Sequence, residues 1–287
     1  MRSYLSLVKF AHTIFALPFA LVGFFLGWVK YPHENFGILL IQVIACMVFA
    51  RSAAMAFNRY VDRDIDQKNP RTQNREIPSG VITPSSVLLF VILNALAFIV
   101  ITYTINMICF LLSPVALGVI LSYSYTKRFT YLCHFILGLG LSLAPIGAYL
   151  AVTGKFELLP ILYAFVVLFW VSGFDIIYAL QDDTFDKNEN LFSIPVKLGK
   201  KKALTLSGIL HLCCGLLIII TGIYGGAIIP NLQIIHWIGV GIFLILLFYQ
   251  HRLVKPGDLS KVNLAFFTTN GIASLVFSAL FIIDLLI

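Results

Sequence analysis

The chain has 287 residues, 60% of them hydrophobic and only 11% charged, against about 45–50% and about 25% in an ordinary soluble domain. That balance excludes a soluble globular fold. The net charge of +7 fits the basic loops of a membrane protein better than a nucleic-acid ligand, so no nucleic acid is expected as a partner.

Apolar windows between breakers predict nine membrane-spanning helices, near residues 10–28, 36–57, 84–104, 106–125, 132–152, 159–181, 203–224, 234–250 and 263–286. Arg2 and Lys9 flank the first, which could be mistaken for a signal peptide but is long for one. A short turn around Thr104 to Asn106 separates the third and fourth. The expectation is an all-α polytopic membrane protein, residues 1–287 forming a single membrane domain in the lipid bilayer. Cys46, Cys109, Cys133, Cys213 and Cys214 all fall inside apolar blocks without metal-ligand spacing and read as core residues.

With the N-terminus in the cytoplasm, 18 of the 20 Lys and Arg lie on the cytoplasmic side, and only Lys30 and Lys155 lie opposite. This asymmetry predicts cytoplasmic active-site loops and a C-terminus outside, in the cell inner or plasma membrane. The two long loops, roughly 58–83 and 182–202, then share the cytoplasmic face.

Seven of the 13 acidic residues fall in two short segments at the starts of those loops: Asp62, Asp64, Asp66, Asp175, Asp182, Asp183 and Asp186. Asn58, Asp62 and Asp66 stand at i, i+4 and i+8, and on a helix they share one face with a drift of about 40° per step. Asp175, Tyr178, Asp182 and Asp186 would share a face in the same way, whereas Asp64 and Asp183 fall off and read, with Asp258 and Asp284, as surface acids. Asp62 and Asp182, like Asp66 and Asp186, are 120 residues apart, and Tyr178 takes the place of Asn58. The pattern reads as an internal duplication. Carboxylates gathered at helix C-termini repel one another and oppose the helix dipole unless a cation is present. Their hard oxygens suit Mg²⁺, which accepts one or two carboxylates together with phosphate oxygens.

Basic residues on the same side, Arg63, Arg71, Arg75, Lys127 and Arg128, suit a polyanionic ligand, though positive-inside bias would also place them there. Arg51 lies two turns before Asn58 on the same face, deeper in the predicted membrane segment. An intramembrane Arg faces a cavity or a partner: either a substrate carboxylate or an acid of the sixth helix.

Asn58-xxx-Asp62-xxx-Asp66, followed by Arg71-Thr-Gln-Asn-Arg-Glu-Ile-Pro-Ser-Gly80, resembles the first signature of the UbiA-type intramembrane prenyltransferases. Asp175-xx-Tyr178-xxx-Asp182-xxx-Asp186 resembles the second, and Tyr123-Ser-Tyr-Thr-Lys127-Arg128-Phe-Thr130 is similar to the motif after helix four. The resemblance implies a helical bundle around a central cavity capped by the two loops. It further implies Mg²⁺-dependent transfer of a polyprenyl group from its diphosphate to an aromatic acid. Asn58, Asp62, Asp66, Asp182 and Asp186 would then form the metal site, and Lys127, Arg128, Arg63, Arg71 and Tyr178 would meet the diphosphate. Asp62, Asp182 and Arg128 would be catalytic, and Arg51 would face the acceptor's carboxylate.

The Arg-Glu-Ile-Pro-Ser-Gly loop and Arg51 resemble 4-hydroxybenzoate polyprenyltransferases of ubiquinone synthesis. Gly173 to Asp182 and Phe15 to Ala20 also resemble relatives acting on a dihydroxynaphthoate for menaquinone, and Leu191-Phe-Ser-Ile-Pro195 departs from the ubiquinone-pathway run. Outside this class, intramembrane acids and an internal repeat also mark ion-coupled secondary transporters, whose sites lie nearer the midplane.

Overall fold

The computed structural model describes residues 2–8, 15–32 and 34–287. It is all-helical, in the order α1 (Arg2–Leu7), α2 (Leu17–Lys30), α3 (Phe36–Lys68), α4 (Pro84–Ile105), α5 (Met107–Thr126), α6 (Cys133–Thr153), α7 (Leu158–Ala179), α8 (Asp183–Asn188), α9 (Ile194–Ile228), α10 (Ile234–Leu253), a π-helical segment (Leu264–Thr269) and α11 (Asn270–Leu286). Among the described residues, eight helices are long and apolar enough to cross a membrane, and α2, at 14 residues, is a shorter ninth apolar helix. Lys9 and residues 10–14 of the first expected span lie outside the described residues.

Local chemistry sets most boundaries. Thr83 accepts from Ser86 N–H (3.3 Å) with Pro84 in the first turn of α4. Asn106 ends one helix and starts the next. Its N–H donates to Thr102 O, its side-chain oxygen accepts from Cys109 N–H (2.9 Å), and its amide donates to Leu150 O (2.9 Å), tying the turn to α6. The expected turn at 104–106 is therefore present. Asp284 on α11 accepts from Gln233 N–H (2.7 Å), Ile235 N–H (3.2 Å) and His236 N–H (3.1 Å), satisfying the orphan donors at the start of α10.

Three expectations are corrected. The second span does not stop at 57, because α3 runs to Lys68 and carries its acids on three further helical turns. The seventh begins at Ile194 rather than 203, with a kink at Gly199, whose φ of 75° is a left-handed value natural to glycine. The segment 175–186 is not one helix: α7 ends at Ala179 and α8 starts at Asp183. Asp182 and Asp186 therefore leave the face of Asp175 and Tyr178, and the duplication does not extend to geometry.

The helices pack α2 on α6, α6 and α9 on α7, α3 on α4, and α10 on α11. At Gly23 a Cβ would overlap the Pro145 carbonyl, so α2 and α6 meet backbone to backbone. Phe19, Trp170, Phe243, Phe277 and Phe281 fill the core between α2, α7, α10 and α11. Apolar side chains such as Leu93, Val100, Leu111, Leu216 and Phe248 point outward, as a lipid-facing surface requires. All five cysteines are unpaired.

Candidate active site

A cavity of about 590 Å³ lies among α3, α4, α5, α6 and α7. Its deep end is apolar, lined by Val43, Met47, Ile105 and Leu112, and its mouth is polar, lined by Asn58, Arg71, Asn74 and Arg75. The two ends come from one helix: Val43 and Asn58 are fifteen residues apart on α3, a rise of about 22 Å.

The first acidic motif is helical as expected. Asn58 donates to Asp62 Oδ2 (3.1 Å), and Lys127 pairs with the same oxygen at 2.7 Å. Arg128 Nη2 lies 3.0 Å from Asp62 Oδ1. That approach is electrostatic rather than a directed hydrogen bond, since the buried Oδ1 accepts none. Arg128 also donates to Val61 O (2.9 Å) and Ser124 O (2.8 Å), bridging α3 and α5. Asp66 accepts from Arg75 at 2.7 and 2.8 Å, and its carbonyl accepts from Thr72 (3.1 Å), which folds the 69–83 loop back onto α3.

The second motif meets the same loop. Arg71 Nε donates to Asp182 Oδ1 (2.9 Å), its Nη2 pairs with Asp182 Oδ2, and its Nη1 donates to the Tyr178 hydroxyl (3.0 Å). Asn69 adds a bond to Asp182 (3.2 Å). Asp186 forms no ion pair among the described residues; burial, reinforced by the neighbouring Asp182 charge, pushes its carboxyl up to about 6.

The structure therefore gathers Asn58, Asp62, Asp66, Lys127, Arg128, Arg71, Tyr178, Asp182 and Asp186 around one mouth. Asp62, Asp66 and Asp182 sit behind their cationic partners, and the wall itself shows Arg71, Arg75 and Asn58. Arg63 is not brought there. It is half-exposed, donates to Tyr60 O (2.7 Å), lies over the Tyr60 ring and pairs loosely with Asp64 (3.8 Å), because one residue past Asp62 it points about 100° away. Of the acids read as surface groups, Asp64 and Asp183 remain peripheral, whereas Asp284 is a buried cap.

Arg51 lines the cavity with its Nε buried and without a hydrogen-bond partner, and it pairs with no acid among the described residues. The sixth-helix acid proposed as its partner is therefore not observed. Arg59, which sequence reading missed, behaves alike: 4% exposed, Nε unpartnered, on the cavity wall. Its signal was available as a second Arg eight residues after Arg51 on the same helix. The aromatic wall was not readable in advance. It consists of Tyr178 stacked on Phe266 at 4.1 Å, with Phe174 and Phe15 edge-on to Phe266 at 5.2 and 5.5 Å. Phe266 comes from the π-helical segment, a distortion frequent at functional sites.

Known proteins share this arrangement of helices. The structure of a UbiA homolog from Aeropyrum pernix is 31% identical, covering 95% of this chain and 98% of that one, with a TM-score of 0.83. A UbiA homolog from Archaeoglobus fulgidus, solved bound to GPP and Mg²⁺, is 21% identical over 99% of this chain and 100% of its own, with a TM-score of 0.78, and shares the fold. The 4-hydroxybenzoate octaprenyltransferase of Aliivibrio salmonicida is 31% identical over 246 residues, 84% of this chain and 83% of that protein. Residues 16–272 match the UbiA prenyltransferase family, and the chain belongs to it.

Proposed function

We propose that this enzyme transfers a polyprenyl group from its diphosphate to the ring of an aromatic acid, 4-hydroxybenzoate, as one catalytic unit with its acidic mouth in the cytoplasm. The observation that carries the reading is a cavity with ion-paired carboxylates at its mouth and, in its apolar interior, an Arg51 that pairs with no acid among the described residues.

At the mouth, Lys127, Arg128 and Arg71 are placed to exchange their carboxylate partners for diphosphate oxygens. Among the described residues no three acidic, histidine or cysteine side chains converge into a metal site of their own. That suits Mg²⁺, whose shell of hard oxygens is completed by water and substrate phosphate around one or two carboxylates. Asn58, Asp62 and Asp66 of the first motif and Asp182 and Asp186 of the second would hold it, one or two carboxylates at a time, and the buried Oδ1 of Asp62, which accepts no hydrogen bond, is a suitable donor once Arg128 withdraws. When bound, Mg²⁺ would neutralise charge on the departing diphosphate. Tyr178, Phe266, Phe174 and Phe15 would offer aromatic surface to the allylic carbon as it gains positive charge, beside the apolar part of the cavity. Arg51 would hold the acceptor's carboxylate by a charge-assisted hydrogen bond.

The test offers the purified protein Mg²⁺, geranyl diphosphate and, in parallel, 4-hydroxybenzoate and 1,4-dihydroxy-6-naphthoate. Prenylated 4-hydroxybenzoate is the expected product. Product only from the naphthoate would move the enzyme to the menaquinone acceptor, and indifference to Mg²⁺ and donor would favour a transporter.

A further inference from the structure

Among the described residues, two carboxylates face the cavity, Glu76 and Asp175. Glu76 stands in the loop at the mouth and is engaged by the Ser6 hydroxyl. Asp175 is the interior one, on α7 one turn before Tyr178, sharing the wall with Arg51, Tyr123 and Phe174. Its Oδ2 is held at 2.7 Å by His134 Nδ1. His134 is buried on α6, and its Nε2 accepts the backbone N–H of Ile194 at 3.3 Å. A ring nitrogen that accepts an N–H carries no proton, so the proton sits on Nδ1 and points at Asp175. One carboxylate oxygen is thereby fixed; Oδ1 has no hydrogen-bond partner among the described residues, and the side chain, 19% exposed, lines the cavity.

We propose that Asp175 is the general base that removes the ring proton of the acceptor, and that His134 is the positioning residue that aims it. The inference rests on the aromatic prenyl transfer proposed above. In that reaction the bond between donor C1 and the diphosphate oxygen breaks, its electron pair leaving with the diphosphate. A ring carbon of the acceptor supplies the pair for the new carbon–carbon bond. That carbon is left tetrahedral and its C–H bond strongly acidic. The C–H pair returns to the ring, the proton goes to Asp175 Oδ1, and the resulting carboxylic acid releases it to solvent. A carboxylate is base enough for so acidic a proton, provided it is within reach and correctly turned.

The experiment compares transfer to 4-hydroxybenzoate and to its 3,5-dideuterated form. In the wild type, loss of the proton follows the slow ionisation of the donor, so the two rates should agree. Asp175→Asn should slow transfer by about 100-fold or more and show a primary isotope effect, because proton loss now limits. Thermal stabilisation by Mg²⁺ and geranyl diphosphate should be unchanged. Asp175→Ser, read the same way, covers failure of the Asn variant to fold. His134→Ala should also show the isotope effect, and His134→Asn, whose amide can donate as Nδ1–H does, should remove it. A folded Asp175 variant that transfers at the wild-type rate, or slowly but without an isotope effect, overturns the assignment. No product from the wild type with any aromatic acceptor, the donor still binding, would instead remove the reaction on which it rests.

Discussion

Asp62 is 2% exposed and touches Asn58, Lys127 and Arg128 at once, so its charge matters more than its volume. Asp62→Asn should leave the helical content intact and lower prenyl transfer by at least about 100-fold, the scale of losing a group aimed at developing charge, measured as turnover at saturating Mg²⁺ and donor. Arg51→Ala should raise the acceptor KM by about 10-fold or more while the donor KM changes little, since a hydrogen bond to a charged group contributes about 1.5–3 kcal/mol. Equal loss for both substrates would place Arg51 with the diphosphate. Arg63→Ala should alter neither KM beyond about 2-fold, because its contacts are to Tyr60 and the exposed Asp64, an exchange of the weak surface kind. At this scale the spacing of Asn58, Asp62 and Asp66 was legible, because a helix turns a four-residue interval into a shared face. The partners Arg75, Asn69 and His134 were not, because each reaches its acid through a loop or a neighbouring helix, and no local interval encodes that meeting.

Among the elements, hydropathy located the spans but not their ends. The three extra turns of α3 are written in polar residues, invisible to an apolar window yet needed to carry Asp62 and Asp66. The break at Leu180 to Asp182 was equally hidden: nothing in Ala-Leu-Gln-Asp-Asp forbids a helix, and the loop's pull through Arg71 and Asn69 on Asp182 is tertiary. Asp284 illustrates the reverse error, an acid near the chain's end that reads as surface and is a cap. Asp284→Ala strips three backbone donors and His236 Nδ1 of their acceptor. It should destabilise the protein by about 1–2 kcal/mol, as loss of a helix cap does, seen as a lower Tm in detergent, with transfer per folded molecule retained.

For the molecule as a whole, the distribution of charge predicts its sidedness. Lys30 and Lys155, the two basic residues set apart from the other 18, meet at one end of the bundle, both over the Tyr31 ring at 5.7 and 5.4 Å. A membrane-impermeant thiol reagent on intact cells should therefore label Lys155→Cys and spare Asp64→Cys, both exposed positions, and the opposite pattern would invert the topology.

The lashing of Arg71 to Asp182 and of Lys127 and Arg128 to Asp62 has one more consequence. If those cations take the donor's diphosphate, as proposed, the resting protein carries its own stand-in for that anion, and the three cations are not bare. On the proposed reaction an arriving diphosphate would displace Asp182, which ties Arg71 of the 69–83 loop to the end of α7, and Asp62, which ties α3 to Lys127 and Arg128, and the released carboxylates would become oxygen ligands for a divalent ion. Binding of donor and metal would then be an exchange of ion pairs with little net change in charge, in which each ligand prepares the place of the other.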